Sequence, residues 1–425
     1  MYTNARFMVA LEIRHAEVTF SIQDGQIVIY TGSCPGLYRI EVDLPTVTMA
    51  ADDKLPETIY DVNTPAFLLD LDVMKKNVAR MKETCDRLGV QLRPHMKTHK
   101  TIELGEMMTD GTKTCLEVST LDEAEFYASH GFDDILYAYP ITQQKLDRCR
   151  RLAEKLEKFH IMVESPESME ALKTTPRGSD KLWSVFLEID LGLGRTGVEW
   201  DSDMALTLAR EAANCPGIDF RGLYVHSGDS YGAKGPDQIR QTGKKNTDKL
   251  LQLKVRLAEA GVTCATLVMG STPGCSHPDD SMAQLDTFSP GNYIFFDAMQ
   301  KRIGSCEEKD IACRVVCRVI SHKKSLNKMT IDAGFLAISH DGMELGLPEG
   351  PVIFQGHPEL KLLGMCQELG SVGTQGEPLD FSKYPIGSLL FVYPHHSCAT
   401  AALYDKYYVH SGDKIDGIWK PTRGW

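Results

Sequence analysis

Long hydrophobic runs are missing from this chain of 425 residues: no stretch of about 18 apolar residues occurs, so no segment is expected to span a bilayer. A surplus of basic charge is missing too. Lys and Arg number 46 against 58 Asp and Glu, a formal charge of -12, which argues against nucleic acid or an anionic membrane as the main partner. The 12 cysteines show no disulfide-like spacing, so reduced thiols are expected. The first residues lack the basic start and apolar core of a signal peptide, and their acidic residues do not suit a transit peptide. A cytoplasmic location is the expectation. There is no glycine-rich dinucleotide turn, no low-complexity tract and no internal repeat beyond a strand–helix unit.

What is present reads as two or three domains around a large core. Residues 1 to about 48 alternate in period two, with Val18, Phe20 and Ile22, a turn at Asp24-Gly25, then Ile27, Ile29, Tyr38, Ile40 and Val42. This predicts short strands in an N-terminal extension, residues 1–58, with Met49 as a rival start. From Thr64 onward strand and helix patterns repeat. Ala66 to Leu71 reads as a strand, and Met74, Val78, Met81, Cys85 and Leu88 follow at helical spacing. Eight further strand candidates run from Val90–Lys97 to Leu285–Phe288, with amphipathic helices between most of them. The fold class expected is α/β, a (β/α)8 TIM barrel over residues 59–293. After about Tyr293 the pieces are short, β-rich and divided by Gly and Pro, which predicts a smaller all-β domain over 294–425.

Barrel sites sit at strand ends, so the chemistry is sought there. The stretch Arg93-Pro94-His95-Met96-Lys97-Thr98-His99-Lys100 puts an amine at the tip of the Val90–Lys97 strand, before a helix-like Thr101 to Met108. An amine crowded by cationic neighbours and partly desolvated loses proton affinity, as it must to attack an aldehyde and form a Schiff base. A solvated surface lysine is the ordinary alternative. The turn at Gly192-Leu193-Gly194-Arg195-Thr196-Gly197 lets backbone approach a ligand and offers one guanidinium fork. Tyr224 and Tyr231 flank another strand end, with His226 between them, and each tyrosine could equally be core or surface. Gly270-Ser271-Thr272-Pro273-Gly274 and Ser289-Pro290-Gly291-Asn292-Tyr293 lie where barrels gather phosphate-binding groups, or are ordinary turns. In Pro394-His395-His396-Ser397-Cys398, extended backbone would point His396 and Cys398 to one side, where imidazole and thiolate favour zinc. The same alternation turns His395 away.

The Arg93 to Lys100 run resembles the pyridoxal-phosphate lysine segment of the D-serine dehydratase / D-threonine aldolase family, the metal-dependent branch of the alanine-racemase fold group. The likeness extends from about Thr64 to the C-terminus and leaves the first fifty or so residues unexplained. It implies that Lys97 carries pyridoxal 5'-phosphate and acts as a base, and that Arg195 faces the cofactor's phenolic oxygen. It further implies Tyr224 and Tyr231 at the cofactor, Thr272, Gly291 and Asn292 at its phosphate, and His396 and Cys398 as ligands of a divalent metal, expected to be zinc. Also implied are a D-amino acid substrate, a homodimer, and a first strand, Ala66 to Leu71, that crosses into the second domain. Dehydratases of the family pair His with Cys where some aldolases use aspartate, so Cys398 points to D-serine dehydratase, although Ala399-Thr400-Ala401-Ala402 looks aldolase-like. D-Threonine aldolase and D-threo-3-hydroxyaspartate dehydratase are the near alternatives. A racemase would need a second base and no metal, and a non-catalytic pyridoxal-phosphate carrier would need no metal pair.

Overall fold

The computed structural model describes residues 18–23, 26–31, 38–39, 55–178 and 181–425. In the N-terminal unit, Val18–Gln23 pairs antiparallel with Gln26–Thr31, which pairs antiparallel with Tyr38–Arg39. Period-two alternation is realised there as a three-stranded sheet. Asp24-Gly25, Ile40, Val42 and Met49 lie outside the described residues.

Leu55–Trp425 forms a second unit. Nine parallel strands make a curled sheet: eight in sequence order, Gln91–Leu92, Leu116–Val118, Ile135–Pro140, Phe159–Val163, Trp183–Asp190, Ile218–His226, Thr266–Gly270 and Thr287–Phe288, with a short ninth, Val198–Glu199, beside the end of Trp183–Asp190. Gln91–Leu92 pairs with Thr287–Phe288, and a single parallel bridge, His95 with Glu117, links the first run to the second. Connecting helices bury the faces that periodicity predicts. In Leu71–Leu88 the Asp70 carboxylate caps the N-terminus by accepting from Asp72 and Val73 N–H at 3.1 Å, and Met74, Met81 and Cys85 are buried.

A second, mostly antiparallel sheet contains Cys313–Lys323, Lys328–Ile331, Leu360–Met365, Gly370–Thr374, Leu389–Tyr393, Tyr407–Ser411 and Lys414–Trp419. Ala66–Asp70 sits inside it, antiparallel to Cys313–Lys323 and parallel to Tyr407–Ser411. The strand that precedes the parallel sheet in sequence is therefore central to the other sheet, as the resemblance implied.

One expectation needs correction. The strand foreseen over Val90–Lys97 stops at Leu92, and Lys97 lies in a 3-10 turn, Met96–Thr98. Pro94 has no N–H to continue a ladder, and the backbone turns as His95 N–H reaches Pro290 O at 3.0 Å.

At the starts of three parallel strands lies a buried polar chain. Ser184 Oγ meets His160 Nδ1 at 2.7 Å, His160 Nε2 meets Asp134 Oδ1 at 3.1 Å, and Arg93 Nη2 donates to Asp134 Oδ1 at 2.6 Å. Burial pushes the Asp134 carboxyl up, but His160 and Arg93 outweigh it and hold the group well below its usual range. A carboxylate depressed in the folded state contributes stability above its unfolded value of 3.8 and loses it as pH falls. Asp134→Asn, which suits the residue's left-handed φ of 52°, is therefore expected to cost about 3 kcal/mol at neutral pH. The deficit should shrink in acid. Urea unfolding of both proteins at neutral pH and near pH 3 measures this.

Candidate active site

All the nominated residues line one cavity of about 650 Å³: Lys97, Arg195, Tyr224, Tyr231, Thr272, Gly291, Asn292, His396 and Cys398. Each arrives by a different local device. Lys97 is set by the 3-10 turn, whose cap is the His95 ring accepting from Lys97 N–H at 3.3 Å. Arg195 rides a loop organised by Asp190, whose carboxylate accepts from Gly192, Leu193 and Gly194 N–H at 2.7–2.8 Å. Gly197 closes that loop at φ 99°, where a Cβ would come within 2.7 Å of Asp190 N. Gly291 lets the last strand approach the lysine turn, since a Cβ there would meet His95 O at 2.8 Å.

Around the lysine the titratable groups are unusual. Burial drives the His95 imidazole well below its ordinary value, helped by Lys97, and His226 falls to about 3 through burial, Arg195 and Lys97. Both rings are neutral near pH 7. The Glu117 carboxyl, fully buried, is pushed up to about 7 although Tyr224 donates to its Oε1 at 2.6 Å. Glu188 rises to about 7 for the same reason, with Thr196 Oγ1 donating to it at 2.7 Å.

His396 and Cys398 meet in a way that strand alternation does not describe. His396 is the N-cap of a short helix, Ser397–Ala401, and Cys398 lies in its first turn. The two side chains are hydrogen-bonded to each other. Burial pushes the Cys398 thiol up, but His396, Lys97 and the Thr98 hydroxyl, 3.2 Å away, bring it below the usual range. His396 moves the opposite way: burial lowers it, and the Cys398 thiolate and Asp341 raise it further. His395 does turn away, and Arg302 Nη1 lies 3.0 Å from its Nδ1.

Sequence reasoning missed three supporting residues. Asp341 Oδ2 sits 2.9 Å from His396 Nδ1, which fixes the ring and leaves Nε2 for an ion. Asp297 accepts from Ser397 N–H and Asn292 Nδ2 through Oδ2, and from Gln300 N–H through Oδ1, all at 2.9 Å. The Asn292 amide is thereby spent on Asp297 and on Ser397 Oγ at 2.6 Å, so a phosphate would meet its backbone rather than its side chain. The third is Gln300, buried on the cavity wall. Asp297 and Gln300 are separated from the motifs, and no spacing marks them.

The residues fit the implied groups. Thr272 Oγ1 and Ser289 Oγ are buried hydroxyls at the cavity without a good hydrogen-bond partner among the described residues, as donors to a phosphate would be. Thiolate and imidazole form a soft donor set suited to zinc-like ions. Among the described residues no group of three or more His, Cys, Asp or Glu side chains gathers round one point, so a metal here would take two protein donors, with water or substrate completing it.

The family model "Alanine racemase, N-terminal domain" matches residues 69–299, and "Putative serine dehydratase domain" matches 312–410. A D-serine dehydratase of Dictyostelium discoideum is 33% identical over 391 residues, covering 87% of this chain and 99% of the relative. The chain belongs to the D-serine dehydratase family. This family has the alanine-racemase-like, pyridoxal-phosphate fold, and its members are lyases. A D-threonine aldolase of Arthrobacter sp is 26% identical, covering 84% of this chain and 92% of that one. The solved structure of a cysteine-to-alanine mutant of D-threo-3-hydroxyaspartate dehydratase, in a metal-free form, superposes with TM-score 0.81 at 29% identity, covering 87% of this chain and 100% of its own.

Within this family the role of Asp341 can be tested directly. Asp341→Asn is expected to weaken metal affinity by about 10–100-fold while leaving the fold intact. Competition with a chromophoric chelator measures it, and unchanged affinity would remove Asp341 from the site.

Proposed function

We propose that the protein converts D-serine to pyruvate and ammonia, as a pyridoxal-phosphate- and zinc-dependent D-serine dehydratase. The observation that carries this reading is the convergence of Lys97 and the His396–Cys398 pair on one cavity. When bound, pyridoxal phosphate supplies an electron sink for bonds at the substrate Cα, and the metal a Lewis acid for its β-hydroxyl. Lys97 would hold the cofactor, with Arg195, Tyr224 and Tyr231 about its ring and Thr272, Gly291 and Asn292 about its phosphate. Beside the substrate Cα, the Lys97 amine would accept the Cα proton. Neutral His95 and His226 beside it place no further positive charge against that transfer. His396 and Cys398 would hold the metal, and the thiolate offsets part of its charge. The Cα–H and Cβ–O bonds break, hydroxide leaves, and hydrolysis of the released enamine returns the water and yields pyruvate and ammonia.

The same residues could serve Cα–Cβ cleavage, which the Arthrobacter relative's name makes the second reading to exclude. We infer a closed (β/α)8 barrel over 59–293, a β domain over 294–425 and an accessory segment over 1–58; the matches at 69–299 and 312–410 support this division. Free thiols at every described cysteine, with no described helix long and apolar enough to cross a membrane, support a cytoplasmic location. A homodimer is supported by the family resemblance and by Tyr139, 51% exposed at the cavity edge.

The deciding experiment supplies cofactor- and zinc-loaded protein with D-serine and D-threonine in turn. Pyruvate from D-serine that vanishes with chelator is the expected result. Glycine and acetaldehyde from D-threonine, without pyruvate from D-serine, would replace the reading with an aldolase.

A further inference from the structure

Gln300 is fully buried, yet it lines the cavity, and neither its Nε2 nor its Oε1 makes a hydrogen bond of good geometry within the described protein. Its amide lies beside the Tyr231 hydroxyl. A buried amide whose only neighbour of this kind is one hydroxyl keeps hydrogen-bonding capacity unfilled, which is costly unless a ligand or water completes it. Its position is not loose. Gln300 N–H donates to Asp297 Oδ1, and the other oxygen of that carboxylate accepts from Ser397 N–H, one residue before Cys398. The short helix Ala298–Arg302 is stitched to the metal-pair segment again, through Ala298 N–H to Pro394 O and Met299 N–H to His395 O, both at 3.0 Å. The amide is therefore carried by a helix anchored to the segment that bears His396 and Cys398, on the wall of the same cavity.

Charge on the wall bears on the same question. Lys97 and Arg195 are the lysine and arginine side chains among its lining residues. With Lys97 committed to the cofactor, Arg195 can meet one anionic oxygen group. A second carboxylate on the substrate would find no lysine or arginine left to pair it and would compete with the β-hydroxyl for the metal held by His396 and Cys398, which is unfavourable for the reaction. A hydroxyl, both donor and acceptor, suits an amide that offers both.

We propose that Gln300 is a specificity-determining residue that hydrogen-bonds the β substituent, so that the site selects D-amino acids with an uncharged β substituent over those with a β-carboxylate. The inference rests on the function proposed above. Its test uses two molecules of matching shape that lack the leaving hydroxyl, D-asparagine and D-aspartate, titrated into the holoenzyme while the cofactor's near-visible absorbance is followed. D-Asparagine is expected to bind at least about tenfold more tightly. Gln300→Met, which keeps the shape, should lower kcat/KM for D-serine about tenfold and leave D-alanine binding within about twofold. Equal or tighter binding of D-aspartate to the unmodified protein overturns the proposal, as does a variant in which D-serine and D-alanine are weakened alike. Should the variant not fold, the D-asparagine to D-aspartate ratio still decides. Preference for D-asparagine without turnover of D-serine would refute the dehydratase and leave this inference standing; dehydration of D-serine with no such preference would do the reverse.

Discussion

Lys97→Ala is expected to yield a folded protein that lacks the near-visible absorbance of linked pyridoxal phosphate and turns over D-serine at least about 10³-fold more slowly. The fold should survive because the turn is held by main-chain groups. Lys97 N–H still reaches the His95 ring, and His99 and Lys100 N–H still reach Met96 O at 3.2 and 3.0 Å. What is lost is the amine alone, the group proposed to link the cofactor and to move the Cα proton. Absorption spectra and a pyruvate assay on the same preparation separate the two losses. Retained absorbance with retained activity would move the site away from Lys97.

Cys398→Ala should separate the metal from the cofactor. The expected variant keeps the cofactor spectrum, loses bound metal on dialysis and loses about 10²–10⁴-fold in activity. Thr98 Oγ1 and Asn292 Nδ2, at 3.2 and 3.6 Å, both point polar groups at this sulfur, so the pocket is built to stabilise an anion there. Cys398→Asp keeps an anionic donor and is expected to retain part of the metal, more weakly. Metal analysis beside the activity assay checks both variants. Full activity in Cys398→Ala after chelation would mean that the β-hydroxyl leaves without metal help.

The parts of this site that were legible in the chain are those carried by contiguous motifs. Lys97 stands in a run of residue types that few surface strands contain, and the turns holding Arg195, Thr272 and Gly291 announce themselves by glycine. Placement was less legible than identity. Pro94 breaks the strand that apolar periodicity extends to Lys97, and the His396–Cys398 pair is joined by a helix cap where alternation suggested an extended segment. Asp341 reaches His396 across a loop 55 residues away in sequence, and Asp297 and Gln300 act through burial in a short helix. Such residues look like ordinary polar positions until the chain is folded. Two strands of the second sheet, Gly370–Thr374 and Lys414–Trp419, carry glycine and exposed positions that blur the period-two signal.

The Ala66–Asp70 strand has a consequence for how the molecule is made. It is synthesised early, but its neighbours, Cys313–Lys323 and Tyr407–Ser411, emerge from the ribosome only after the whole parallel sheet has done so. Until then a wholly apolar strand, Ala66 to Leu69, has unpaired edges on both sides. The second lobe cannot complete itself first, and a fragment ending before it would carry an orphan strand that favours self-association. Cutting the chain between the lobes should thus give insoluble halves, and co-expression of the two pieces should be needed to recover either.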